Sequence, residues 1–345
     1  MRVHEFLIIL ILATLPIVAV LTGDARAQAS LTAETINAAS LSALPAEPLP
    51  PPPAEDTGSD APAPPPATPD PAIIKLQILL DRAGASPGVI DGYDGENVRK
   101  GVKAFEAMRG LAVDGVIDDE FVASLDDGSP VAGIYAVSAE DIAAVVAPIP
   151  TDYAEMAQRD FLGYASVSEL LAERFHMDEK LLIALNPGAT YAEGEGIVVV
   201  APGLAATGKV ARIEADKAAR QVRAYDEAGT LIVAYPATIG SESNPSPSGT
   251  HIVAAVAPMP NYTYDPTVNF QQGENTDKLI IPPGPNGPVG SMWIDLTEPT
   301  FGIHGTPEPS KIDKTGSHGC VRLTNWDAEE LAAMVEPGVP VVFLD

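Results

Sequence analysis

Ile303-His304-Gly305-Thr306 and Ser317-His318-Gly319-Cys320-Val321-Arg322 hold the only cysteine of the 345-residue chain and two of its five histidines. Cys320 follows His304 by sixteen residues. Three chemistries fit this pattern. A cysteine acts as a nucleophile when a base or an electropositive setting favours its thiolate. Histidine and thiolate also ligate zinc, with Glu308 or Asp313 as a further ligand. The third reading is a buried structural cysteine with incidental histidines. Local charge favours the nucleophile. Glu308 and Asp313 stand against Lys311, Lys314 and Arg322, a small basic island in a chain of net charge −27. A thiolate is expected to be favoured there over the rest of the surface. Gly319, directly before Cys320, fits a tight backbone that aims amide N–H groups at a developing oxyanion.

Outward from this stretch the pattern is β. Residues 210–213, 221–225, 231–235, 251–256, 291–294 and 339–344 are short runs rich in β-branched or aromatic residues, separated by Gly, Pro and Asp turn signals. One helix is expected at 325–335, with Asn325 as N-cap and Leu331, Met334 and Val335 as its apolar residues. The spaced motifs, with Asn244-Pro245-Ser246-Pro247-Ser248-Gly249-Thr250 and the Pro/Gly-rich loop at 281–290, resemble the YkuD-type L,D-transpeptidase domain. The resemblance covers about 209–344 and implies a mainly-β sandwich fold at 207–345.

It also implies an acyl transfer like that of cysteine peptidases, with no cofactor and no metal. His304 takes the proton of Cys320. The thiolate then attacks the third-residue carbonyl of a peptidoglycan tetrapeptide stem, and D-Ala leaves as the thioester forms. An amine of a second stem resolves the thioester as a 3→3 cross-link. Gly319 and Cys320 supply oxyanion N–H groups, Ser317 and His318 shape the cleft, and Arg322 holds the loop or a stem carboxylate. The 281–290 loop is a candidate cleft wall by position. Within the same chemistry the acceptor is instead water (an L,D-carboxypeptidase), a free D-amino acid or the lysine of an outer-membrane lipoprotein. The reading from another class is a non-catalytic wall-binding scaffold.

Two smaller modules precede this domain. At 72–128, Asp70-Pro71 is an N-cap with Pro at the first helical position. Ile73, Leu76 and Leu80, then Val98, Val102 and Phe105, make two apolar helical faces, and Phe121, Val122 and Leu125 a third short helix. Leu76-Gln77, Gly88-Val89-Ile90-Asp91-Gly92, Phe105, Gly110-Leu111 and Asp114-Gly115 together resemble the three-helix peptidoglycan-binding domain, which implies glycan strands as a partner. At 129–206, an amphipathic helix (Val167, Leu170, Leu171, Phe175), a Leu181/Leu182/Leu185 cluster, Asn186-Pro187-Gly188 and a β-branched strand are similar to the second half of an α+β LysM module. Here the stretch between Tyr135 and Val167 is longer than that family has. His176, between Phe175 and Met177, reads as a packed or surface histidine.

Residues 1–27 read as a secretory signal: Arg2, an uncharged apolar run at 7–21 and the small-x-small site Ala25-Arg26-Ala27. The run is shorter than the ~20 residues that span a bilayer, so no membrane span is expected after cleavage. Residues 28–71 are dense in Ala and Pro without a Lys or Arg, and read as a disordered tether. The destination is the periplasm or cell wall. With 20 Lys and Arg against 47 Asp and Glu, a nucleic-acid partner is excluded. One cysteine excludes an intrachain disulfide framework.

Overall fold

The computed structural model describes residues 31–45 and 68–345, apart from positions 242 and 269. The signal expected at 1–27 and the proline runs at 50–53 and 64–66 lie outside the described residues. Part of the expected tether is ordered. Helix α1 (Ala33–Ala38) starts at Thr32, whose hydroxyl and that of Thr35 bond each other's backbone N–H in a capping box. Ile36 and Leu41 are fully buried. Disorder was expected because the mean composition of 28–71 hides this local pair of large apolar residues. A six-residue helix has little stability alone, and this one is held by packing on the module that follows.

That module consists of α2 (Pro71–Arg82), α3 (Glu96–Arg109) and α4 (Asp119–Leu125). Asp70 caps α2 by accepting the Ala72 N–H at 2.7 Å. Gln77 ties the Asp-Gly loop to α2: its carbonyl accepts the Asp91 and Gly92 N–H groups at 3.1 and 2.8 Å. Almost all of α2 is buried, Lys75 and Gln77 included, because it packs against α1 and α3 and its loop docks on both other modules. Ser86 N–H donates to Ala234 O at 2.9 Å and Ile90 N–H to His176 O at 2.8 Å.

The second module runs β1 (Ala132–Ala136), α5 (Ala139–Ala143), α6 (Tyr153–Met156), α7 (Val167–Arg174), α8 (Glu179–Leu185), β2 (Gly196–Val200). β1 and β2 pair antiparallel from Ala132↔Val200 to Ala136↔Gly196. The long stretch before α7 contains α5, α6 and a coil. These two modules share one hydrophobic core, from Ile36 through Leu76 and Phe105 to Leu171 and Ile197.

The third module contains β3 (Arg212–Asp216), β4 (Gln221–Tyr225), β5 (Leu231–Pro236), β6 (Thr238–Ile239), β7 (Gly249–Pro258), β8 (Tyr262–Tyr264), β9 (Leu279–Ile281), β10 (Met292–Leu296), β11 (Gly302–His304), β12 (Val321–Arg322), α9 (Asn325–Met334) and β13 (Pro340–Leu344). Nine strands pair in the order β5-β4-β3-β13-β7-β10-β11-β12-β6, and β8 and β9 form a separate hairpin. The ten-residue β7 joins two halves: its first residues pair with β13 and its later ones with β10. Both halves and α9 bury one core, with Ile213, Val222, Val233, Ile294, Ile303, Val321 and Leu331 all fully covered. The N-cap of α9 is Thr324, which accepts the Asp327 N–H at 3.1 Å, and not Asn325 as expected. Asn325 sits in the first turn with its carboxamide engaged elsewhere.

Candidate active site

Side chains alternate across a strand, and that parity places the chemistry. β11 and β12 run parallel with Ile303 beside Val321 and His304 beside Arg322. Ile303 and Val321 point into the core, both 0% exposed. His304 and Arg322 therefore lie on the opposite face. Cys320, one step before β12, falls on that face too, abreast of Gly302. The antiparallel partner β10 adds Trp293 opposite His304, and its indole stacks on the imidazole at 5.4 Å between ring centroids. Gly302 makes room for this indole, since a Cβ there would meet its Cζ2 at 2.5 Å.

His304 is 4% exposed and its Nδ1 lies 2.7 Å from Gly305 O. A carbonyl only accepts, so Nδ1 carries the proton and Nε2 is left as the basic nitrogen. Burial, with Arg322 adding to it, lowers the imidazole pKa to about 4, so the ring is neutral at pH 7. The Cys320 thiol is half-buried and donates to Thr300 O at 3.6 Å. Burial pushes its pKa up, against the weaker pull of the Gly302 amide and Arg322. The basic island expected to favour a thiolate here is thus outweighed at the sulfur itself. Arg322 acts in the expected sense, but desolvation of the sulfur outweighs it, while Lys311 is engaged with Glu308 at 2.5 Å. The resting pair is a neutral thiol beside a neutral imidazole.

The turn between the motifs is built by the remaining residues. Ser317, 3% exposed, donates to Cys320 O at 2.6 Å and accepts the Gly319 N–H at 3.2 Å. Gly319 has φ +106°, and a Cβ there would meet Phe301 at 2.6 Å, so the position requires glycine. Ser246, from the 244–250 loop, donates to Gly319 O at 2.5 Å. The Gly319 N–H is thus already engaged by Ser317, and the Cys320 N–H is the amide beside the sulfur that the turn does not use. His318 is exposed and stacks on Phe270 at 4.1 Å. Thr300, whose carbonyl faces the sulfur, holds φ +72°, a strained value for a β-branched residue. Asp313 is drawn away from the site: its carboxylate pairs with Lys100 of α3 at 2.8 Å. Among the described residues no group of three His, Cys, Asp or Glu could hold a metal ion.

The family model of the L,D-transpeptidase catalytic domain matches residues 210–343, and that of a "Putative peptidoglycan binding domain" matches 69–125. The "Putative L,D-transpeptidase YkuD" of Bacillus licheniformis is 30% identical over 175 residues, half of this chain and 90% of that protein. The chain belongs to the L,D-transpeptidase family. The namesake in Bacillus subtilis is 46% identical over 57 residues, 16% of this chain and 35% of its own length. The "Probable L,D-transpeptidase YbiS" of Escherichia coli K12 is 25% identical over 213 residues, 59% of this chain and 69% of its own.

The transpeptidase domain supports its paired motifs with residues that the sequence reading missed. Asn325 is 2% exposed and lodges against Gly290 and Gly305, where a Cβ would fall 2.1 and 2.2 Å from its Oδ1. That oxygen accepts the Ser291 N–H at 3.1 Å. Its Nδ2 donates to Pro285 O at 3.2 Å and to both Glu173 oxygens at 3.1 and 3.2 Å. Glu173 belongs to α7, so the second module backs Gly305, whose carbonyl holds His304 Nδ1. Burial raises the Glu173 pKa to about 8, with Glu169 and Glu329 adding to it and the Asn325 bond opposing. A cleft of about 390 Å3 is lined by Tyr262, Val268, Lys278, Val289, Trp293 and Thr300 among others, and it borders the pair through Trp293, stacked on His304, and Thr300, whose carbonyl meets the Cys320 thiol. Val289 brings the 281–290 loop into this wall. A larger cleft of about 720 Å3, between α3 and β4, has neither Trp293 nor Thr300 in its lining. For Asn325 the sequence signal was only a helix start, and for Trp293 only a strand. Their partners lie far away in the chain.

Proposed function

We propose that the transpeptidase domain acts on peptidoglycan tetrapeptide stems through Cys320 and His304 and forms 3→3 cross-links. The observation that carries this reading is the shared face of β11 and the start of β12, where a histidine whose Nδ1 is held by Gly305 O lies on the same face as the cysteine, which stands level with Gly302 two residues before it. The thiol proton passes to His304 Nε2 as sulfur bonds to the carbonyl carbon of the third stem residue. The oxyanion is met by the Cys320 N–H, and by the Gly319 N–H once it leaves Ser317. The C–N bond breaks, D-Ala takes the proton from His304 as its amine leaves, and a thioester remains. The side-chain amine of a second stem then attacks, His304 accepts its proton, and the sulfur departs as thiol. Arg322, paired with His304 in the strand register, lies on the same face to receive a stem carboxylate.

With its pKa lowered to about 4, His304 starts the cycle unprotonated. The exported location rests on residues 1–27 and on a substrate that lies outside the cytoplasm. No helix among the described residues is long and apolar enough to cross a membrane. Residues 69–125 would hold glycan near the catalytic domain, and a LysM-like contact by 129–206 would add to it.

The test is incubation with disaccharide-tetrapeptide muropeptides followed by mass spectrometry. Dimers lacking one D-Ala are expected, and Cys320→Ala should yield none. Tripeptide alone would make the enzyme a carboxypeptidase, and unchanged muropeptide would make the chain a wall-binding scaffold.

A further inference from the structure

The β8–β9 hairpin walls one side of the cleft, and its strands are three residues each. Such a hairpin has little stability of its own in water, so its position must come from what packs on it. Tyr262 and Thr263 border the cleft. Tyr262 shares its face with Tyr264 and Ile281, and that face is covered by the stretch of the second module that lies between α5 and α7. Leu162, Tyr264 and Ile281 form a separate small core, all 0% exposed, with Tyr153 and Met156 packed against it.

The polar seam is continuous. Leu162 N–H donates to Pro283 O at 2.9 Å, and Asn286 N–H to Leu162 O at 3.0 Å. Asn275 Nδ2 donates to Asp152 Oδ2 and Gln272 Nε2 to Thr151 O, both at 2.9 Å. Gly284 allows this approach, as a Cβ there would lie 2.2 Å from Leu162 O. An aromatic chain then leads to the catalytic turn. The Tyr153 ring meets Tyr264 edge-on at 5.3 Å and Phe270 at 6.1 Å. Phe270 stacks on His318, two residues before Cys320, at 4.1 Å with the rings 14° from parallel.

We propose that Tyr153, from the second module, is a positioning residue of the transpeptidase: it holds Phe270 on His318 and so fixes the cleft wall that receives the donor stem. This deepens the proposed function and rests on it. The stretch between α5 and α7 is on this reading a brace for the substrate cleft. Its effect belongs on stem binding, because its ring contacts are with Tyr262, Tyr264 and Phe270, on the cleft wall and not on the Cys320/His304 pair.

Tyr153→Ala in the full chain tests this, with the disaccharide-tetrapeptide as donor. KM is expected to rise about tenfold while kcat stays within about twofold, the signature of lost uniform binding. Tyr153→Phe, which keeps every ring contact, should restore KM. Alkylation of Cys320 by iodoacetamide, which needs no stem-binding wall, should keep its rate. Amide hydrogen exchange over 262–281 should quicken in Tyr153→Ala and not in Tyr153→Phe. An unchanged KM with unchanged exchange would overturn the proposal. A parallel drop in kcat, alkylation and thermal stability would overturn it too, by showing a general folding role. Should the wild type leave muropeptides untouched, the transpeptidase reading fails, while the exchange experiment still decides whether Tyr153 holds the hairpin.

Discussion

Cys320 and His304 illustrate a contest between burial and a nearby charge. Arg322 draws the thiol toward ionisation, yet desolvation dominates and leaves it protonated. For His304 the two effects act together, and the imidazole pKa falls to about 4. On the proposed mechanism the pair gains its reactivity when the proton moves between them during attack, with no stored thiolate. kcat/KM for the muropeptide should therefore be flat from about pH 5 to about pH 8 and fall only as His304 protonates near pH 4. Arg322→Gln removes a cation that disfavours imidazolium and favours thiolate. The His304 pKa should rise, moving the acid limb to higher pH, and the Cys320 pKa should rise as well. Iodoacetamide labelling across pH reads the sulfur directly, and the variant's rate near neutrality should drop about tenfold. An acid limb that stays in place in Arg322→Gln would show that burial alone sets the histidine.

At the scale of elements, α9 and α7 together hold the loop behind the base. Asn325 bridges Glu173 and the Ser291 N–H, so both helices must be in place for Gly305 to be backed. Glu173 keeps its proton up to about pH 8, while an unfolded chain releases it near the ordinary 4.5. Between those values the folded state binds more protons, and stability falls as pH rises. Glu173→Gln keeps an acceptor for Asn325 Nδ2 and removes the titration. Its melting temperature should exceed that of the wild type at pH 8 by a few degrees, roughly, and converge toward acid pH. Equal melting curves at both pH values would show that the buried carboxyl finds compensation elsewhere. The expectation that Asn325 caps α9 failed because Thr324 and Asn325 are both good caps by residue type. Only the tertiary partner of the carboxamide distinguishes them.

Across the whole molecule, three modules that read as separate beads share buried interfaces. Asp313, between the two catalytic motifs, is 4% exposed and pairs with Lys100 of the peptidoglycan-binding module, itself 11% exposed. Asp313 also pairs with Arg220 at 2.7 Å, so Asp313→Asn removes the charge that both cations face and leaves Lys100 with Glu96 at 3.8 Å, at a cost of about 1–3 kcal/mol. The variant should melt several degrees lower, roughly, with faster hydrogen exchange in α3 and in the 304–322 turn together. A change confined to one of them would mean the modules are not coupled there. The sequence alone determined the strand runs, the three-helix module and the spaced His304 and Cys320 motifs on which the proposed chemistry rests, because periodicity and the reactivity of residue types are local properties. It also placed Gly319, since the turn before the nucleophile needs a backbone that only glycine adopts without strain. Tertiary structure alone decided what surrounds them: Trp293 on the imidazole, Glu173 behind Asn325, Tyr153 behind Phe270. It also decided the protonation of the thiol. Burial depends on segments far apart in the chain, and no count of charges along residues 304–322 reports how much water the fold removes from the sulfur.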